Sequence, residues 1–237
     1  MLGVGIVMEQ LIDKKITIWG DSILKGVIFD EQNGKYRVTE KNCISRFAEL
    51  TGCSIKNNAH FGMTSTRALN KITASIDKQQ LSTDEIVIIE FGGNDCDFNW
   101  SEISNDPDEL HQPKTTIENF KVSLQNMIDM FKKKGVTPIL MNLPPLEPER
   151  YFNWISQGLS KENILHWLGD VAKIYRWQEA YNNAAEWIAR QNNCKILDVR
   201  ERFLISNNYG SHFCADGIHP NENGHKKILE SFLAFSF

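Results

Sequence analysis

Ile86-Val87-Ile88-Ile89-Glu90-Phe91-Gly92-Gly93-Asn94-Asp95 is the stretch on which the fold turns. Its first four residues are β-branched without interruption. That pattern suits a central strand buried on both faces, as in a parallel sheet with helices on either side. Gly92–Asp95 then ends the run with residues suited to a chain reversal. Further strands are predicted at Ile16–Trp19, Ile55–Asn58, Ile139–Leu143 and Lys195–Val199. Helices are predicted over Cys43–Leu50, Ser65–Lys78, Trp167–Gln191 and Glu222–Phe235, and most clearly from Thr115 onward. There Thr115-x-x-Glu118 has the form of a capping box, and Ile117, Phe120, Leu124, Met127, Ile128 and Phe131 make one apolar stripe. This alternation predicts an α/β fold with five parallel strands.

Two segments fall outside the alternation. Asp95–Lys114 is polar and is expected to loop over the top of the sheet. Pro144–His166 holds three prolines with Tyr151, Phe152 and Trp154, too long and too aromatic for a plain connector. It reads equally as a lid or substrate wall and as a satellite core. No repeat or linker is visible, so residues 1–237 are expected to form one domain, with 1–14 as an N-terminal extension.

Composition narrows the function. With 41% apolar and 24% charged residues and a net charge of -4, the 237-residue chain has the make-up of a soluble globular protein and no basic face for nucleic acid. Lys132-Lys133-Lys134 sits where a helix should end and complements its dipole. Five cysteines, an odd number without a CxxC pair, argue for a reducing compartment, hence a cytoplasmic protein. Met1–Val7 lacks the basic start of a signal peptide, Met8 is an alternative start, and no run is long enough to span a membrane.

Three polar clusters end at what should be one crevice: Gly20-Asp21-Ser22, Gly92-Gly93-Asn94-Asp95 and Asp216-Gly217-Ile218-His219-Pro220. Ser22 alone could merely cap a helix. His219, with Asp216 three residues upstream, supplies the oriented base that a nucleophilic serine needs. Oxyanion donors are expected from the N–H groups of Ser22 and Gly62 and the side-chain amide of Asn94. His212 is a rival base without an Asp before it. His60 is expected to line the pocket or pack in the core, His225 to be a structural hydrogen-bonder, and His111 to sit in a loop. Cys96 and Cys214 have no adjacent base. Asp95 is expected to hold its loop rather than join Asp97 on a metal, and Trp19 to pack in the core.

Together these blocks resemble the SGNH hydrolases, the GDSL esterases and lipases. The first is Trp19-Gly20-Asp21-Ser22-Ile23, with Ile where the family name has Leu. The second, the loosest, is Asn57-Asn58-Ala59-His60-Phe61-Gly62-Met63-Thr64-Ser65. The third is Gly92-Gly93-Asn94-Asp95 and the last Asp216–Pro220. They occur in family order from about Lys15 onward. The resemblance implies a three-layer α/β/α sandwich, flavodoxin-like in strand order, with no metal or organic cofactor. It implies a serine hydrolase cleaving carboxylic esters, with Ser22 as nucleophile, His219 as base and Asp216 orienting it. Tyr151, Phe152 and Trp154 are expected to bind substrate, as a wall for an acyl chain or a stacking surface for a sugar, with a short-acyl ester favoured. The rival is a non-catalytic carbohydrate- or nucleotide-binding module on the same sheet. The absence of Gly-x-Gly-x-x-Gly after the first strand weakens its nucleotide version.

Overall fold

The structure, a computed structural model, describes residue 11 and residues 14–78 and 81–237. Of the expected 1–14 extension, residues 1–10, Met1–Val7 and Met8 included, lie outside the described residues. Leu11 is buried against the core. Five strands form one parallel sheet: β1 (Lys15–Trp19), β4 (Ser54–Asn57), β5 (Ile86–Ile89), β6 (Ile139–Met141) and β7 (Ile196–Leu197). Their order is β4-β1-β5-β6-β7, with Ile16 opposite both Ile55 and Ile86. This is the flavodoxin-like order that the family resemblance implies, with the five strands that the alternation predicts.

Alternation along β5 explains its unbroken apolar run. Val87 and Ile89 face one layer and Ile88 the other, and all three are buried. The first layer holds α3 (Ser65–Ser75), α5 (Ile117–Lys133) and α8 (Ala172–Gln191), with Phe120, Phe131 and Tyr181 fully buried. The second holds α2 (Cys43–Thr51) and α10 (Glu222–Ala234), where Phe47 packs on Phe232 with ring centres 5.3 Å apart. Trp19 lies in the first of these cores, as expected.

Four features differ from the sequence expectations. An antiparallel hairpin, β2 (Val27–Asp30) and β3 (Lys35–Val38), interrupts the first crossover. The Asp30 carboxylate closes its turn by accepting from the N–H groups of Gln32 and Asn33, an Asx-turn. The expected 95–114 loop contains a short helix, α4 (Trp100–Asn105). The expected helix over 167–191 is broken: α7 (Lys161–Leu168) stops at Gly169 (φ 76°), and α8 restarts at Ala172. Lastly, Thr116 rather than Thr115 caps α5, accepting from the N–H of Asn119. Thr115 is instead buried, its carbonyl accepting from the hydroxyl of Tyr181.

The 144–166 segment supplies α6 (Pro148–Ile155) and leads into α7. With α4 and the start of α8 these enclose a third apolar cluster, apart from the sheet layers, that includes Phe98, Ile103, Leu146, Phe152 and Ile164.

Candidate active site

Each cluster at the carboxyl end of the sheet is held by its own local hydrogen bonds. Asp21 follows β1 and caps the single-turn helix α1 (Ser22–Lys25), its Oδ1 accepting from the N–H of Ile23 at 2.8 Å. Ser22 is thus the first helical residue, where N–H groups have no intrahelical acceptor. After β4 the chain returns beside β1, with the His60 N–H donating to the Gly20 carbonyl at 3.1 Å. Gly62 then takes φ 67°, a left-handed conformation that favours glycine. Asp95 accepts from both the N–H (3.0 Å) and the hydroxyl (2.6 Å) of Ser65, fastening the turn after β5 to the one holding Gly62. That is the loop-holding role expected of Asp95.

His219 arrives on the turn before α10. Its N–H and that of Ile218 each donate to Asp216 Oδ1 at 3.1 Å, closing a tight turn. Gly217, at φ 76°, lets this turn sit directly on α6, since a Cβ there would lie 2.7 Å from the Glu147 carbonyl oxygen. Arg150 ties it down further, donating to the carbonyls of Gly210, Phe213 and Cys214.

The sequence-expected residues meet here. His219 Nδ1 lies 2.6 Å from Asp216 Oδ2, and its Nε2 lies 2.9 Å from Ser22 Oγ. With Nδ1–H donating to the carboxylate, Nε2 is left to accept the Ser22 hydroxyl. Ser22, Asp216 and His219 are all buried. Burial alone would raise the Asp216 carboxyl, but the hydrogen bond and electrostatic pull of His219, with the two backbone N–H groups, hold it below the ordinary range. Ser22, Gly62, Asn94 and His219 all border one cavity of about 570 Å³. Asn94 Nδ2 donates to Asp21 Oδ2 at 3.0 Å, so one carboxylate sets both the helix carrying Ser22 and the amide of Asn94.

Behind Asp21 lies Glu90, 1% exposed, with Oε2 3.3 Å from the Asp21 N–H. Burial and the Asp21 charge push the Glu90 carboxyl well up, and burial pushes Asp21 up to about 6. Asp21 stands in the first polar cluster without a role read from sequence, and Glu90 has none either, though an acidic residue closing an apolar strand run is itself a signal.

Tyr36 was also missed. From β3 its hydroxyl donates to Asp216 Oδ2 at 3.0 Å, and its ring centre lies 5.1 Å from that of His219. Burial and the neighbouring carboxylate push the phenol up, so it remains a donor. Phe61, 55% exposed, is the other ring contact of His219 and stacks on it, with ring centres 5.9 Å apart and 7° between the planes.

Of the expected substrate residues, Tyr151 and Trp154 line the cavity. Phe152 does not; it is buried inside the third apolar cluster, whose members Phe98, Leu146 and Tyr151 do border the cavity. His60 is exposed, its ring bonded to the Asn58 carbonyl, and neither lines the cavity nor packs in the core. His212 bonds to Ser206, and His225, pushed down to about 4 by burial, accepts from the Cys43 N–H. His111 is in a loop but borders the cavity. Burial raises the thiols of Cys96 and Cys214, the latter to about 11, which disfavours a thiolate nucleophile. Asp97 is occupied by Tyr151, Trp100 and Lys114.

Residues 18–227 match the GDSL-like Lipase/Acylhydrolase family. The chain belongs to that family. It is 22% identical over 218 residues to the GDSL esterase/lipase WDL1 of Oryza sativa subsp. japonica, covering 91% of this chain and 75% of that protein. Among solved structures it resembles a lipase/acylhydrolase from Enterococcus faecalis (TM-score 0.60, 19% identity, 93% of each chain). It also resembles a lipolytic G-D-S-L family member from Veillonella parvula (TM-score 0.63, 15% identity, 93% of this chain and 96% of that one). The five-stranded parallel sheet with flanking helices is therefore a fold shared with SGNH hydrolases.

Proposed function

We propose that this chain is a serine hydrolase of carboxylic esters acting through Ser22, His219 and Asp216. The observation that carries this reading is the unbroken hydrogen-bonded line from Asp216 through His219 to Ser22 Oγ at the edge of the cavity. Ser22 Oγ bonds the acyl carbon while His219 Nε2 takes its proton. Asp216 keeps the Nδ1–H and stabilises the imidazolium. The carbonyl electrons move onto oxygen, which the N–H groups of Ser22 and Gly62 and the free N–H of Asn94 receive. His219 then protonates the departing alcohol, leaving an acyl-enzyme. Water gives a proton to His219, attacks the same carbon, and Ser22 leaves with the proton returned.

Tyr151 and Trp154 are read as substrate walls. The family match over 18–227 supports one hydrolase domain. Among the described residues no helix is long and apolar enough to cross a membrane. Five free, buried cysteines support a cytoplasmic location. The test is hydrolysis of p-nitrophenyl butyrate by the wild-type protein beside Ser22→Ala and His219→Ala, each checked for folding by circular dichroism. Losses of about 10⁴-fold or more are expected. Equal activity in all three proteins would end the proposal.

A further inference from the structure

The cavity that Ser22, His219 and Ile218 border has a second part, a compartment lined by residues that take no part in the proposed chemistry. Its walls are Phe98, Trp100, Leu146, Trp167, Leu168 and Trp177. Those rings hold one another: Phe98 and Trp167 meet edge to face at 4.9 Å, and Phe98 and Trp177 lie 5.9 Å apart, tilted by 39°. The polar side-chain groups of Trp100, Tyr151, Trp177 and Gln178 on this lining are engaged by the protein itself. Trp100 Nε1 and the Tyr151 hydroxyl both donate to Asp97 Oδ1, at 2.9 and 2.6 Å. Trp177 Nε1 donates to the Cys96 carbonyl at 3.0 Å, and Gln178 Nε2 to that of Pro144 at 2.8 Å. Lys173 Nζ lies over the Trp167 ring at 4.3 Å and donates to that residue's carbonyl. Gln112 is exposed at the rim.

We infer that this compartment binds a linear hydrocarbon acyl chain of medium length, which makes the substrates medium-chain acyl esters rather than acetylated sugars. The inference rests on the ester-hydrolase reading above and names the substrate class of that site. A glycosyl group lodged among these walls would exchange water for a lining whose polar groups are mostly engaged already, leaving hydroxyls unsatisfied. Each methylene leaving water instead gains about 0.8 kcal/mol. The whole cavity, at about 570 Å³, lies within the range of pockets that enclose a small organic ligand and holds more than an acetyl group.

The test is kcat/KM for p-nitrophenyl acetate, butyrate, octanoate and palmitate, and for acetylated xylobiose, each measured beside Ser22→Ala. A rise of about fourfold per methylene from acetate to octanoate is expected. No further gain is expected at palmitate, and acetylated xylobiose should be the poorest substrate. Ile155 is half-buried on the same wall, and Ile155→Trp should lower the octanoate-to-acetate ratio at least tenfold. A flat series, or Ser22-dependent hydrolysis fastest on acetate or acetylated xylobiose, would overturn the inference. If Ser22→Ala hydrolysed these esters as well as the wild type, the underlying reading would fail instead. The compartment is then tested alone by titrating Ser22→Ala with octanoate or xylobiose and following tryptophan fluorescence. Saturable quenching by octanoate alone supports the inference; quenching by xylobiose alone, or by neither, contradicts it.

Discussion

Around Ser22 the cavity is held by hydrogen bonds, whereas around Trp167 it is held by packed rings. Asp21, Asn94, Asp216 and His219 each have polar partners at fixed distances, so their residue types cannot be exchanged without leaving a buried donor or acceptor unpaired. Phe98, Trp167 and Trp177 are held chiefly by contact, and another set of bulky side chains could enclose a similar volume. On the proposed reading, chemistry and substrate choice therefore fall to two regions under different constraints. Changes at the polar end should remove rate, and changes at the aromatic end should redistribute it among substrates.

Removing the amide of Asn94 should have the largest effect among the supporting residues. Asn94→Ala is expected to lower kcat by about 10²–10³-fold with KM little changed, because the lost interaction belongs to the transition state. Steady-state kinetics on a single ester checks this, and a change confined to KM would assign Asn94 to substrate binding. Tyr36→Phe comes next. It keeps the ring beside His219 and deletes only the donor to Asp216, so kcat/KM should fall about tenfold, the worth of one hydrogen bond to a charged group. Unchanged kinetics would reduce the hairpin to a packing element.

Glu90→Gln should alter stability more than rate. The folded-state values of Asp21 and Glu90 lie above their ordinary ones, so between about 4 and 6 the native state binds more protons than the unfolded chain. Wild-type stability therefore falls as pH rises through that window, by about 1–3 kcal/mol from Asp21. Removing the second carboxyl relieves this. Thermal unfolding should show Glu90→Gln more stable than wild type above pH 6, with the gain shrinking toward pH 4. A gain independent of pH would show that the two carboxyls do not titrate together.

The same contrast explains what could be read in advance. Buried strands such as β5 were legible because burial on both faces leaves an unbroken apolar run. Ser22, Gly62, Asn94, Asp216 and His219 were legible because each stands in a short polar block at a strand end or tight turn. The β2–β3 hairpin was not, since Lys35–Val38 is mostly exposed and carries no alternation. Tyr36 matters through a partner 180 positions away, which no local pattern encodes. The break between α7 and α8 had a signal that apolar periodicity masked: Gly169 beside Asp170, whose carboxylate accepts from the Lys173 N–H. Tyr151, Phe152 and Trp154 looked alike in sequence, and only the direction of each on α6 separates cavity from core.

Mapping the site of reaction with an alkyl fluorophosphonate, by mass spectrometry of the digested protein, tests the central claim most directly. One adduct is expected, on the peptide carrying Ser22, forming at least about a thousandfold more slowly in His219→Ala. An adduct on another serine, or equal rates with and without the imidazole, would contradict the account.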